Sequence, residues 1–301
     1  MPFLIILYAV TAFSNSALSK TCSTTVTGGR ARYAAYYSVH SFIACIFYTI
    51  SSGFNLSVNL PTLIYSVVFA LLILANMLVS MLILRRMNVL GAGILSTPLR
   101  LIVIATMGAL LFGESITSTV IIRITLMSVA AVLIFIDVRK RGKKKSDSSD
   151  KRVDLKKYLP LMLLSVMLNA SQTIVTKSFA VSTVVTDENS FYLLTNVVML
   201  LVALIMLSCE LLRYRESVRE ALGIFQPKRI LPTVGNVVSS NINSLVIIPI
   251  LAVTDVAVFT PLTSAYGIVV GVMVSLLFRE KLGIYSYLAA AVAIITMLVA
   301  V

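Results

Sequence analysis

At 301 residues, 58% hydrophobic and only 12% charged, the chain carries about half the charge density of a soluble domain. With a mean hydropathy of +0.98 it reads as an integral membrane protein, which excludes a large soluble core. The formal net charge of +13 does not point to nucleic acid, because the basic residues lie between apolar stretches and not on a folded polar domain.

A hydrocarbon core about 30 Å thick needs roughly 20 apolar residues of helix. By that measure the chain holds ten spans: 2–19, 33–51, 63–84, 89–112, 117–137, 158–180, 190–212, 230–252, 256–278 and 282–300. The first lacks the basic n-region of a signal peptide and is matched later in the chain, so it is read as a helix of the mature protein. The spans are continuous apolar runs without alternation, which excludes a β-barrel. Each must satisfy its own backbone hydrogen bonds in lipid, so all are predicted helical. Cys22, Cys45 and Cys209 are scattered, with no C-x-x-C pair. They read as small apolar side chains, with no disulfide or metal role.

Between the fifth and sixth spans the composition inverts. Residues 139–157 hold ten of the chain's 25 basic residues and cannot build a core. The expected organisation is therefore a five-helix unit over 1–137, a basic linker over 138–157, and a second five-helix unit over 158–301.

The two halves resemble each other. Leu4 to Thr21 aligns without a gap on Leu161 to Ser178, setting Ser14-Asn15-Ser16 on Ser171-Gln172-Thr173 and Lys20 on Lys177. Thr97-Pro98-Leu99 falls on Thr260-Pro261-Leu262, and Leu110-Leu111-Phe112-Gly113-Glu114 on Leu276-Leu277-Phe278-Arg279-Glu280. Matched blocks in the same order indicate an internal duplication. With an odd number of spans per half, the second must sit inverted relative to the first, as in secondary transporters.

Charge sets the orientation. The loops after spans 1, 3, 5, 7 and 9 are assigned Lys20, Arg30, Arg32, Arg85, Arg86, Arg100, the linker cluster, Arg213, Arg215, Arg219, Lys228, Arg229, Arg279 and Lys281. The other face holds Asp187, Glu188 and Asp255. The positive-inside rule places the first set in the cytoplasm and both termini outside.

The five-plus-five layout resembles the drug/metabolite transporter superfamily, EamA type. So do the small-rich fourth span with its early proline (Pro98, Pro261), the glutamate ending it (Glu114, Glu280), and the polar end of the first span (Asn15 to Lys20, Gln172 to Lys177). The resemblance covers nearly the whole chain. It implies a basket of ten helices, a central cavity lined by spans 1, 3, 4, 6, 8 and 9, and movement of small metabolites or drugs. Family members are generally drawn with both termini in the cytoplasm, and here the charges say the opposite.

Polar residues deep in spans are costly in lipid and tend to face the bundle interior. Asn15, Asn76, Gln172, Asn236, Ser240 and Asn243 are the candidate substrate-binding residues. Ser14, Ser171, Ser239 and Asn241 lie beside them. Asn236, Ser240 and Asn243 share one helix face. The alternative is helix–helix ties, which such side chains also form. Pro98, Pro261, Glu114 and Glu280 are the candidate hinge or gate residues. An ordinary first-turn proline and an interfacial cap or tie are the competing readings. Arg123 is expected to snorkel to the outer interface, or to hold an anionic group. Lys20 and Lys177 end paired helices, where a cation offsets the dipole. His40 reads as a satisfied packing histidine, and Tyr36, Tyr37 and Tyr48 as packing or interfacial rings.

No acidic residue is placed mid-span, so proton antiport through a buried carboxylate, as in the small multidrug members of that superfamily, is unsupported. No nucleotide-binding loop occurs, which excludes ATP-driven transport by this chain alone. No H-E-x-x-H, G-x-S-x-G or second histidine supports an enzyme. The expected protein is a secondary transporter, an exporter of a small polar or amphipathic metabolite or drug, in a bacterial plasma membrane, without cofactor or metal. A non-transporting scaffold or receptor is the alternative. Partners are the substrate and the bilayer, with monomer and homodimer both open.

Overall fold

The computed structural model of the chain describes residues 2–25, 30–84, 89–144, 155–182, 187–213, 217–280 and 282–299. Those residues form α1 (Pro2–Thr25), α2 (Arg30–Ser51), α3 (Leu60–Leu84), α4 (Val89–Phe112), α5 (Ser118–Lys144) and α6 (Leu155–Val181). They continue as α7 (Glu188–Arg213), α8 (Ser217–Leu222), a 3-10 turn (Gly223–Phe225), α9 (Pro227–Val253), α10 (Val256–Leu277) and α11 (Ile284–Leu298). No strand occurs among the described residues.

Apart from the six-residue α8, the helices coincide with the apolar stretches read from the sequence, their ends moved by a few residues. Among the described residues, five are long and apolar enough to cross a membrane: Leu60–Val79, Ser118–Asp137, Glu188–Arg213, Pro227–Val253 and Val256–Leu277. Ile121, Ile122, Val129 and Val132 on α5, and Leu201, Leu204 and Ile205 on α7, are exposed. Rows of this kind suit lipid and not water.

Two sequence readings need correction. The linker is narrower than 138–157, because α5 runs on to Lys144 and α6 begins at Leu155. Beyond the apolar part of α5, Lys140 Nζ donates to the Tyr285 hydroxyl at 2.7 Å and lies 4.4 Å from that ring's centre. That contact holds a turn which composition alone assigned to the linker. Arg100 is not in a loop; it lies in the middle of the 24-residue α4.

The chain divides into two compact units. The first comprises Met1–Leu71 and Phe179–Ile250. Here α2 lies along α7. The buried stripe of α2 is Ala31, Ala34, Ser38, Ser41, Ala44 and Tyr48, recurring every three or four residues as a helix face demands. Small side chains let the backbones approach, which is how helices associate when lipid removes the hydrophobic drive. Ala44, Tyr48, Phe179, Phe191, Tyr192, Val237 and Ile248 form the core of this unit. Within it Phe179 stacks on Phe191 at 4.2 Å and Tyr48 on Tyr192 at 5.3 Å.

The second unit comprises Leu72–Ser178 and Leu251–Val301. Small residues again set the contacts between α4, α5, α10 and α11. Ala105 and Ala257 meet Val120, Ala265 and Ala293 meet Leu101 and Met127, and Ala289 meets Ala130 and Ile134. Val79 of α3 packs with Met162 of α6.

Helices α4 and α10 both end at a left-handed residue. Gly113 follows α4 at φ +66°, and Arg279 follows α10 at φ +54°. The Arg279 N–H bonds to Leu276 O at 2.9 Å and the Glu280 N–H to Ser275 O at 2.8 Å, while the Glu114 N–H reaches Gly108 O at 3.4 Å. The two bonds at α10 make the Schellman stop, whereas the bond at α4 reaches six residues back. In both places a glutamate comes next, so the matched blocks Leu110–Glu114 and Leu276–Glu280 share a positive φ at their fourth residue as well as sequence, with different hydrogen bonds.

Candidate functional site

Buried polar groups in an apolar bundle must find partners, and α9 finds most of those in the first unit. The Thr11 hydroxyl of α1 lies 3.1 Å from Asn243 Oδ1 and 2.8 Å from Leu7 O of its own helix, with one proton to share between these acceptors. Ser239 donates to Thr11 O at 3.0 Å. Gly235 permits this approach, since a Cβ there would meet Leu18 Cδ1 at 3.2 Å. From α2, Tyr48 donates to Asn241 Oδ1 at 3.3 Å, and Asn236 Nδ2 donates to the Tyr36 hydroxyl at 3.2 Å. From α7, Tyr192 donates to Ser244 O at 3.2 Å. Ser240 donates to Val237 O of its own helix at 3.0 Å.

Not every group is satisfied. Asn236 Oδ1, Asn241 Nδ2, His40 Nδ1 and Ser41 Oγ are buried without a hydrogen-bond partner. His40, expected to be satisfied, thus keeps a free ring nitrogen 6.0 Å, centre to centre, from the Tyr36 ring. Asn15 is half-buried and makes no hydrogen bond to a described residue. This unit therefore holds buried amide, hydroxyl and imidazole groups with unused hydrogen-bonding capacity.

In the second unit the expected residues are ties. Asn169 Nδ2 donates to Asn76 Oδ1 at 3.1 Å, Asn76 Nδ2 returns to Asn169 Oδ1 at 3.3 Å, and Ser165 donates to Asn76 Oδ1 at 3.2 Å. Gln172 Nε2 donates to Leu72 O at 3.1 Å. Asn169 is not matched by a polar residue in the first span, where Ala12 aligns with it. Its spacing from Ser165 and Gln172 was the available signal.

Glu114 and Lys177 form a buried clamp on the α9–α10 junction. Lys177 Nζ donates to Leu251 O at 2.7 Å and Thr254 O at 2.8 Å, at the carbonyl end of α9. Glu114 accepts from the N–H groups of Val256 at 2.9 Å and Ala257 at 3.1 Å, at the amide end of α10. The two charges are 3.7 Å apart, with side chains 7% and 4% exposed. Each charge complements a helix dipole. The lysine, however, serves α9 and not its own helix as the sequence suggested. Gly108 makes room, since a Cβ there would come 2.6 Å from Glu114 Oε2. Glu114 is thus a cap and tie.

Pro261 is not a first-turn proline. It lies inside α10, where its missing N–H leaves Ala257 O without a helical donor. The helix also runs through Pro98, whose side chain is outside the described residues. Glu280 is half-buried in the turn after α10. Arg123 does not snorkel. It is 2% exposed, with Nη1 on Val258 O at 3.4 Å and Nε without a partner. Its one acceptor among the described residues is this carbonyl in the first turn of α10.

The sequence reading placed Arg100 in a loop and so missed its contact with α10. Its Nη2 donates to Ser264 Oγ of α10 at 3.0 Å, so a guanidinium is held at mid-helix inside this unit. The signal was present: an arginine eleven residues from one end of an apolar segment and twelve from the other does not belong to a loop. Among the described residues no cluster of His, Cys, Asp and Glu has the make-up of a metal site.

No protein-family model matches the chain, and no curated protein matches it. Its fold is similar to that of a crystal structure described only as that of a protein. The TM-score is 0.65 at 14% identity, covering 99% of this chain and 97% of that one. Identity that low speaks to fold alone.

Proposed function

We propose that the protein is a secondary transporter of the drug/metabolite transporter type, with ten transmembrane helices in two inverted five-helix repeats. The observation that carries the reading is the repeated stop of α4 and α10, a left-handed residue followed by glutamate at equivalent places in the two halves. A duplicated odd-numbered set of spans is inverted by necessity, and inverted repeats supply two states of alternating access. The basic linker lies in the cytoplasm and both termini outside. Removing Arg100 from the loop charges leaves that bias intact.

Asn15, Asn236, Ser240 and Asn243 bind a polar solute through hydrogen bonds. Asn76 and Gln172 tie helices within the second unit. The reading is tested on purified protein by a thermal-shift screen against amino acids, nucleosides and sugars, followed by exchange of the best hit in proteoliposomes. Asn243→Ala is expected to lower affinity about five- to thirty-fold, the cost of one hydrogen bond. Ser275→Ala on α10 is the milder control. Unchanged exchange by Asn243→Ala makes the α9 amides structural ties only.

A further inference from the structure

The connection from α7 to α9 is basic and apolar at once. Residues 213–229 hold Arg213, Arg215, Arg219, Lys228 and Arg229 against Glu216 and Glu220. Both flanking helices, Glu188–Arg213 and Pro227–Val253, are long and apolar enough to cross a membrane, so the chain between them begins and ends at one membrane face. It does not stand out in water there. Ala221 and Ile224, 8% and 0% exposed, share a buried cluster with Cys22 of α1, Ala35 of α2, and Leu207 and Leu211 of α7. Leu207 lies six residues before the end of α7, about 9 Å of helix. The cluster therefore sets α8 and the 3-10 turn beside the last turns of α7 and not beyond them. Arg229 fastens the turn, donating from Nη1 to Gly223 O at 2.8 Å.

The rest of this connection is exposed. Val218, Leu222 and Phe225 follow one another at intervals of four and three residues, so they form one face beside the buried one. Leu222 and Phe225 are each 60% exposed. Arg219 is exposed and projects about a quarter turn further round the helix. Lys228, the second residue of α9, is exposed as well. An apolar face set between the protein and a cationic edge is the pattern of a helix lying in the headgroup region.

We propose that α8 and its turn are an interfacial element that binds acidic phospholipid. Val218, Leu222 and Phe225 lie at the boundary between headgroups and acyl chains, and Arg219 and Lys228 reach the phosphates above it. Charge selects the lipid: five cations against two acids make a positive patch that an anionic leaflet attracts. The inference needs α7 and α9 to cross the membrane. It does not need the protein to transport anything, so the loss of one reading leaves the other standing.

The chain contains no tryptophan, so F225W in the full-length protein carries a single indole at the proposed contact. It is reconstituted in nanodiscs of phosphatidylcholine and phosphatidylglycerol in equal parts, with one lipid or the other brominated on its acyl chains. The expected indole emission is that of a ring shielded from water. Bromine near the headgroup end of the chain should quench it more than bromine near the chain end. Brominated phosphatidylglycerol should quench at least about three-fold more efficiently than brominated phosphatidylcholine. R219Q combined with K228Q should bring the two lipids to parity. L222W gives the same readout if F225W does not fold. The proposal is overturned if the indole emits as in water and neither lipid quenches it, which would leave the turn in solvent. It is also overturned if both lipids quench equally in the protein with Arg219 and Lys228 intact, or if the preference survives R219Q with K228Q. An indole shielded from water and from both lipids, in particles holding two chains, would overturn it in favour of a contact between copies.

Discussion

Glu114→Ala and Lys177→Ala are each expected to destabilise the protein by about 3–5 kcal/mol, the usual cost of leaving one member of a buried ion pair uncompensated. Both side chains are almost fully buried, so solvent screening offers little relief. Without Glu114, Val256 and Ala257 lose their acceptor and Lys177 faces carbonyls alone. Without Lys177, Leu251 O and Thr254 O lose their donor and the carboxylate stands unneutralised. The double variant Glu114→Gln with Lys177→Met should recover about half the larger single loss, because no naked charge remains. Unfolding in mixed detergent micelles measures all three. Losses below about 1 kcal/mol in both single variants would identify a solvated pair of the surface kind.

Asp137→Ala is expected to cost about 2–3 kcal/mol. Asp137 is 3% exposed and caps α11 from outside that helix. It accepts from the Ser286 hydroxyl at 2.6 Å and the Gly283 N–H at 3.3 Å. The residue preceding α11 is Gly283, which has no side chain to cap with, so the cap must come from α5. Gly283→Ala should also destabilise, since its Cβ would overlap the Asp137 carboxylate. The two substitutions should combine less than additively, because removing the carboxylate removes the clash. Strict additivity in thermal unfolding would place the alanine's cost elsewhere.

The helices were legible because each is a long, continuous apolar run, and five of those described are long and apolar enough to cross a membrane. The stops of α4 and α10 were legible as paired Leu-Leu-Phe-x-Glu blocks, although the positive φ at Arg279 was not, since a non-glycine residue there is set by its turn and not by propensity. What failed was charge. Arg100 and Arg123 were read by the rule that arginine belongs at interfaces. In the fold each is drawn inward by an acceptor on α10, Ser264 Oγ for one and Val258 O for the other. Those acceptors lie far away in sequence, so no local pattern announces them. Asn76 and Gln172 show the same limit in reverse: amides at mid-helix were visible, but the partners that made them ties, Asn169 and Leu72 O, were not.

Alternating access is tested most directly by cysteine accessibility. A single cysteine at Ser240, in a background without Cys22, Cys45 and Cys209, is exposed to a membrane-impermeant thiol reagent on either side of sealed vesicles. Cysteines at Ser148 in the linker and at Val301 report the orientation. A transporter with the orientation given above shows Ser148 labelled only from the cytoplasmic side and Val301 only from the outside. The cysteine at Ser240 is labelled from both sides, in proportions that a bound substrate shifts. A position at Ser240 that reacts from one side alone, or from neither, would contradict a transporter and leave a static membrane scaffold.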